Sequence, residues 1–161
     1  MYIGIDLGGT NIAVGIVDDS GKIIAKCSKP TNAKRGYKEI VKDMAELSKK
    51  IIADNNISEC DVCGVGIGCP GTVDTKEGVV VFSNNIRMEN VPLGDEFKQY
   101  FNTKVTIIND ADAAAFGEYM INGNGVDSFI FITLGTGVGG GIVINGKIYN
   151  GFNCAGGELG H

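Results

Sequence analysis

Asp6-Leu7-Gly8-Gly9-Thr10-Asn11 lies between two short apolar runs, Tyr2-Ile3-Gly4-Ile5 and Ile12-Ala13-Val14-Gly15-Ile16-Val17. The pattern predicts a strand, a tight polar turn and a second strand. Adjacent glycines permit positive φ and a close approach of the backbone to a bound group, and Thr10 and Asn11 add short donors and acceptors, so the turn reads as an anion cradle. Asp6 stands at the strand end beside it, and a carboxylate next to a phosphate cradle makes chemical sense chiefly when a divalent metal bridges the two. The same residues also read as a hairpin whose glycines only turn the chain; the stretch alone leaves both readings open.

Working outward, Asp18-Asp19-Ser20-Gly21 supplies turn chemistry, and residues 22–27 run back as a third antiparallel strand. A polar segment, Pro30-Thr31-Asn32-Ala33, leads to residues 37–55, where Ile40, Val41, Met44, Leu47, Ile51 and Ile52 recur at helical spacing between charged residues. Residues 61–68 alternate glycine with apolar side chains and run into Cys69-Pro70-Gly71-Thr72, a buried strand ending in a turn near a ligand. Residues 78–82 form a further strand that delivers Ser83-Asn84-Asn85, with strand alternation letting only one of the two asparagines point inward. A short helix is expected over 92–101, with Leu93, Phe97 and Phe101 inward. A strand over 104–108 then ends at Asn109-Asp110 and hands directly to a helix over 111–120.

Residues 128–146 carry no charge, a length that resembles a membrane span. Their centre, Gly135-Thr136-Gly137-Val138-Gly139-Gly140-Gly141, is too rich in glycine for a spanning helix, and β-branched runs flank it, which predicts strands at 129–134 and 142–144 around a loop. The second hairpin thus repeats the plan of the first: Phe131-Ile132-Thr133-Leu134-Gly135-Thr136-Gly137 parallels Ile3-Gly4-Ile5-Asp6-Leu7-Gly8-Gly9-Thr10. Two such turns aimed at one cleft would hold a polyphosphate from both sides. The element order describes an α/β unit with a mixed sheet, followed by the opening hairpin of a second unit.

The 161 residues are 43% hydrophobic and 20% charged, enough for one ordinary core or one domain and part of another. The net charge of −5 arises from 14 basic and 19 acidic residues with no Lys/Arg cluster to track a phosphate backbone, which argues against nucleic acid as a partner. Five cysteines without framework-like spacing, and no signal peptide ahead of the first strand, point to a reducing cytoplasm.

In these residues the chain resembles the ROK family (repressors, open-reading-frame proteins and sugar kinases) of the actin-like ATPase superfamily. The resemblance rests on five motifs in order: Asp6-Leu7-Gly8-Gly9-Thr10-Asn11, Cys69-Pro70-Gly71, Asn109-Asp110-Ala111, the segment from Leu134 to Gly141, and Gly156-Gly157-Glu158-Leu159-Gly160-His161. It is nearest to the glucokinase-like members, which pass the γ-phosphoryl group of ATP to the 6-hydroxyl of a hexose. It implies an α/β fold of the actin-like (ribonuclease H-like) type with a mixed five-stranded sheet, residues 1–121 forming the first domain and 122–161 the first strands of a second, truncated one. Asp110 matches the catalytic base, although Asn109 or Asp110 also reads as a helix N-cap. Gly71, Asn84 or Asn85, Asn109, Asp110, Glu158 and His161 match the sugar-holding positions. Asp6, Gly8, Gly9, Thr10 and Asn11, with Thr133, Gly135, Thr136 and Gly137, match the ATP phosphate loops, Asp6 holding Mg²⁺ through water. His161 matches a ligand of a structural zinc whose cysteines would lie downstream; Cys60-Asp61-Val62-Cys63, at the entrance to a strand, does not substitute for them.

The competing reading is a sugar-binding regulator of the same family without catalysis; such repressors begin with a DNA-binding domain, whereas here Met1 stands one residue before the first strand. On the kinase reading the chain resembles the first half of an enzyme, with little activity alone. A hairpin without the rest of its sheet exposes strand edges, which favours a homodimer or association through the incomplete second domain. Size-exclusion chromatography with light scattering is expected to show the 161 residues as an assembly, and a clean monomer would refute this.

Overall fold

The first strand of the computed structural model, β1 (Tyr2–Leu7), buries Ile3, Ile5 and Leu7 and exposes Tyr2, Gly4 and Asp6, the alternation of a sheet covered on one face. The structure describes all residues except 124, 135–137, 153, 158 and 161. Strand β2 (Asn11–Val17) returns antiparallel, with Asp6 opposite Ala13 and Leu7 opposite Ile12. The next turn is closed by Asp18, whose Oδ1 accepts from the Ser20 N–H at 2.9 Å and the Lys22 N–H at 3.0 Å. Strand β3 (Ile23–Pro30) completes the meander.

Helix α1 (Tyr37–Asp54) carries Ile40, Val41, Met44, Leu47, Ile51 and Ile52 on its buried face, as its spacing predicts. Its burial joins the inward side chains of β1 and β2 in one apolar core. Strand β4 (Gly64–Cys69) then lies parallel to β1, Ile5 beside Ile67 and Asp6 beside Gly68. A parallel neighbour needs a long crossover, and α1 supplies it. Three short strands, β5 (Thr72–Asp74), β6 (Val79–Ser83) and β7 (Met88–Val91), form a separate antiparallel sheet in that order. Helix α2 (Leu93–Lys98) follows, and strand β8 (Lys104–Asn109) closes the large sheet, whose order is β3-β2-β1-β4-β8. This is the expected mixed five-stranded sheet.

The chain divides into two units, Met1–Ile108 and Asn109–His161. The second contains α3 (Asp110–Asn122) and an antiparallel sheet of β9 (Ser128–Leu134), β10 (Val138–Ile144) and β11 (Lys147–Ile148), in the order β11-β10-β9. Helix α3, expected to close the first domain, groups with this later sheet.

The structure corrects several details of the sequence reading. Strands β5 and β7 were not expected, because Thr72-Val73-Asp74 and Met88-Glu89-Asn90-Val91 are short and lack an alternating apolar run. Helix α2 ends at Lys98 rather than 101, while Phe97 and Phe101 remain buried and stacked, their ring centroids 5.5 Å apart. Val138–Gly141 belongs to strand β10 instead of a loop. Gly141 is there for space, because α3 presses against the strand at that position. A Cβ on Gly141 would stand 2.5 Å from the Ala115 Cβ and 3.1 Å from the Ala111 carbonyl oxygen. Among the described residues, no helix is long and apolar enough to cross a membrane.

Gly141→Ala is therefore expected to force helix and strand apart and to destabilise the chain by roughly 1–3 kcal/mol in urea unfolding. Gly66→Ala, where a Cβ would meet nothing within 4 Å, is expected to be neutral or to stabilise by up to about 1 kcal/mol.

Candidate active site

The turn after β1 is closed by the Gly8 N–H donating to the Asn11 carbonyl at 3.0 Å. Neither Gly8 nor Gly9 has positive φ, contrary to the expectation from the sequence. What the turn requires is room. A Cβ on Gly8 would lie 3.0 Å from the Asn11 carbonyl oxygen, and one on Gly9 would lie 3.3 Å from the carbonyl oxygen and 3.4 Å from the Cβ of Asn85. The predicted phosphate turn and one predicted sugar residue are thus packed backbone against backbone.

Asn84 and Asn85 are both exposed in the turn that follows β6, so strand alternation does not choose between them, because the strand ends at Ser83. Gly71 reaches the same region from the end of β4. Its φ of +102° belongs to the left-handed region, and a Cβ there would fall 2.2 Å from the Phe82 carbonyl oxygen and 2.9 Å from the Ser83 Cα. Gly71, Gly8–Thr10 and Asn84–Asn85 therefore come together in the first unit. Asp6 lies on the open face of β1, one residue before the last of the strand, and Asn11 is the exposed first residue of β2.

Three residues that the sequence reading passed over support this turn. Thr31, fully buried, donates its hydroxyl to the Gly8 carbonyl at 2.7 Å and its N–H to the Thr10 carbonyl at 2.8 Å. The Arg35 guanidinium donates to the Thr31 carbonyl at 2.8 Å and to the Asp43 carboxylate, which Lys29 also reaches at 2.6 Å. Burial pushes the Asp43 carboxyl up, but the bonds from Lys29 and Arg35 outweigh it and hold the group below its ordinary value. Thr31 gave no signal in the sequence beyond a polar residue after Pro30. Asp43 sits on the otherwise apolar side of α1, a mismatch that could have marked it.

In the second unit, Asn109 rather than Asp110 is the N-cap of α3. The Asn109 Oδ1 accepts from the Ala111 N–H at 2.9 Å and the Asp112 N–H at 3.1 Å. Asp110 is exposed, its Oδ1 accepting from the Ala111 N–H at 2.9 Å. Thr133 is half-buried on β9, opposite Gly139. Gly135, Thr136, Gly137, Glu158 and His161 lie outside the described residues.

Cys60 belongs to a one-turn 3-10 segment (Glu59–Asp61) rather than to the entrance of a strand, and Cys63 precedes β4 with its Sγ 3.6 Å from the Met1 amine. All five cysteines are free thiols, and among the described residues no group of three or more His, Cys, Asp or Glu side chains could hold a metal ion. One carboxylate beside a turn, as at Asp6, still fits Mg²⁺, which takes few protein ligands and completes its shell with water and phosphate.

Comparison with known proteins agrees with the fold. The ROK family model matches residues 2–161. The chain is 38% identical to a glucokinase of Halalkalibacterium halodurans over 99% of its own length and 49% of the relative's. The structure superposes on a ROK family glucokinase from Streptomyces griseus, solved with glucose and AMPPNP, with a TM-score of 0.85 and 39% identity over 99% of this chain and 49% of that one. A xylose repressor of Caldicellulosiruptor bescii is 31% identical over 99% of this chain and 40% of its own length. The chain spans about half the length of the glucokinases it matches.

The Asp43 cluster yields a pH dependence. Because the folded carboxyl titrates below the unfolded value of about 3.9, its contribution is complete above about pH 4 and is lost as pH falls through the lowered folded value. The Lys29 and Arg35 side chains are each 36% exposed, so Asp43→Asn is expected to cost only about 1–2 kcal/mol at pH 7. The difference between the two proteins in urea unfolding should shrink towards zero as the pH is lowered below 4.

Proposed function

This chain belongs to the ROK family, and on that premise we propose that it is the N-terminal portion of an ATP-dependent hexose kinase of the glucokinase-like type. The observation that carries the proposal is the division of labour where β8 meets α3. Asn109 satisfies the helix amides, and Asp110 presents an exposed carboxylate oriented by the Ala111 N–H. An aspartate needed only as a cap would occupy the Asn109 position.

In this reading the hexose 6-hydroxyl attacks the γ-phosphorus of ATP, the bond from that phosphorus to the bridging oxygen breaks, and ADP leaves. Asp110 accepts the hydroxyl proton late, as a loose transition state permits. Backbone N–H groups of the Gly8–Thr10 turn receive phosphate oxygens, a role that the family resemblance also gives to Thr133, Gly135, Thr136 and Gly137. Asp6 would hold Mg²⁺ through water; when bound, the ion supplies neutralising charge to the phosphates. Gly71, Asn84, Asn85, Asn109, Glu158 and His161 hold sugar hydroxyls. Fixed amide and carboxylate groups select a sugar because a missing hydroxyl leaves one of them unpaired. The exposed Ile130, Ile132, Leu134 and Val138 of the second unit are where this chain associates, with a further copy or with the remainder of the enzyme.

The likeness to a xylose repressor favours a second reading, a sugar-binding regulatory module without phosphoryl transfer. A coupled assay of a hexose panel with ATP, on a chain extended to the relatives' full length, separates the two. Turnover is expected with at least one hexose, and Asp110→Asn should lower kcat by about 10²–10⁴ while sugar binding measured by calorimetry persists. Sugar binding with no phosphorylated product would favour the regulator. The 161 residues alone should turn over little.

A further inference from the structure

We infer that Thr31 is a positioning residue for the first phosphate turn, held in place by the Arg35–Asp43 pair; the inference rests on the reading of Gly8–Thr10 as a receiver of ATP phosphate. A trans peptide fixes its C=O and N–H on opposite edges of one plane, and no cis peptide occurs among the described residues. The Gly8 carbonyl is turned towards the Thr31 hydroxyl at 2.7 Å, so the Gly9 N–H on the other edge of the same plane points away from Thr31. The Thr10 carbonyl is likewise occupied by the Thr31 N–H at 2.8 Å. One buried residue therefore draws two carbonyl oxygens, the ends that would repel a phosphate, to the interior side of the turn. This is the electrostatic condition for an anion-receiving backbone.

Glycines cannot impose such an orientation themselves, since each peptide plane flanking them rotates at little steric cost. The bond from Thr31 supplies what the sequence of the turn lacks. Thr31 in turn has its own carbonyl fixed by Arg35 at 2.8 Å, and Arg35 is fixed by Asp43 on α1, which also holds Lys29 of β3. The line from α1 to the turn runs through the first unit alone, and none of these residues need touch a nucleotide.

The test uses the full-length protein and three variants. Thr31→Val keeps the shape and removes the hydroxyl; Thr31→Ser keeps the hydroxyl; Arg35→Met removes the support of the Thr31 carbonyl. Thr31→Val is expected to raise KM for ATP about tenfold, with kcat and KM for the hexose within about twofold, and Thr31→Ser to return KM for ATP to within about threefold of the parent. Hydrogen exchange in peptides spanning Gly8–Asn11 should accelerate in Thr31→Val but not in Thr31→Ser, with exchange in α1 unchanged. A smaller change in the same direction is expected of Arg35→Met, which decides the matter if Thr31→Val does not fold. A folded Thr31→Val with unaltered KM for ATP, or with unaltered exchange at the turn, would overturn the inference. Absence of any phosphoryl transfer by the parent protein would instead overturn the kinase reading, and the exchange comparison would still decide whether Thr31 orients the turn.

Discussion

The lack of a side chain at Gly9 sets how closely the turn after β1 approaches the turn after β6. A Cβ at that position would be 3.3 Å from the Asn85 carbonyl oxygen, a distance at which one of the two turns must move. The first unit places its glycine turn and its asparagine pair side by side through a contact made without a side chain at Gly9. Gly71 imposes the same condition from the other side of β6, where its positive φ and the proximity of Phe82 leave no room for any side chain. The second unit uses the device for packing: Gly141 lets α3 settle onto β10, with Ala115 completely buried.

Close backbone approach sets positions but does not fix the direction of a peptide dipole. In the first unit that task falls to polar groups behind the turn. Asp43 is nearly buried, and leaving a carboxylate there would be unfavourable without partners. Lys29 and Arg35 provide them, one from β3 and one from the loop before α1, so the ion cluster ties together three segments that meet behind Gly8–Thr10. Its net contribution to stability is small, since both cations keep a third of their surface in water, and its structural consequence is the orientation of Thr31.

Much of the fold was legible because its signals are local. The alternation of Ile3, Ile5 and Leu7, the helical spacing from Ile40 to Ile52, and the direct passage from 104–109 into α3 each predict an element that the structure contains. The small sheet was not legible, since β5 and β7 are held by pairing with β6 and carry too few apolar residues to show a period. The glycine run after Val138 misled for a related reason. Low β propensity at Gly139–Gly141 is overridden by pairing with β9 and, at Gly141, by contact with a helix that lies earlier in the chain.

The same distinction holds for the site. The chain by itself determined which residue types are available and in what order: a glycine turn after the first strand, a glycine after Pro70, an Asn-Asp pair before a helix, and the family to which these belong. Only tertiary structure decided that Gly8 and Gly9 serve close approach rather than positive φ, that Asn109 takes the cap and leaves Asp110 exposed, and that Thr31 governs the turn from a distance of more than twenty positions in sequence. Sequence records the local preferences of each segment. The direction of a peptide plane depends on what is hydrogen-bonded to it, and here the donor comes from a segment with no local signature.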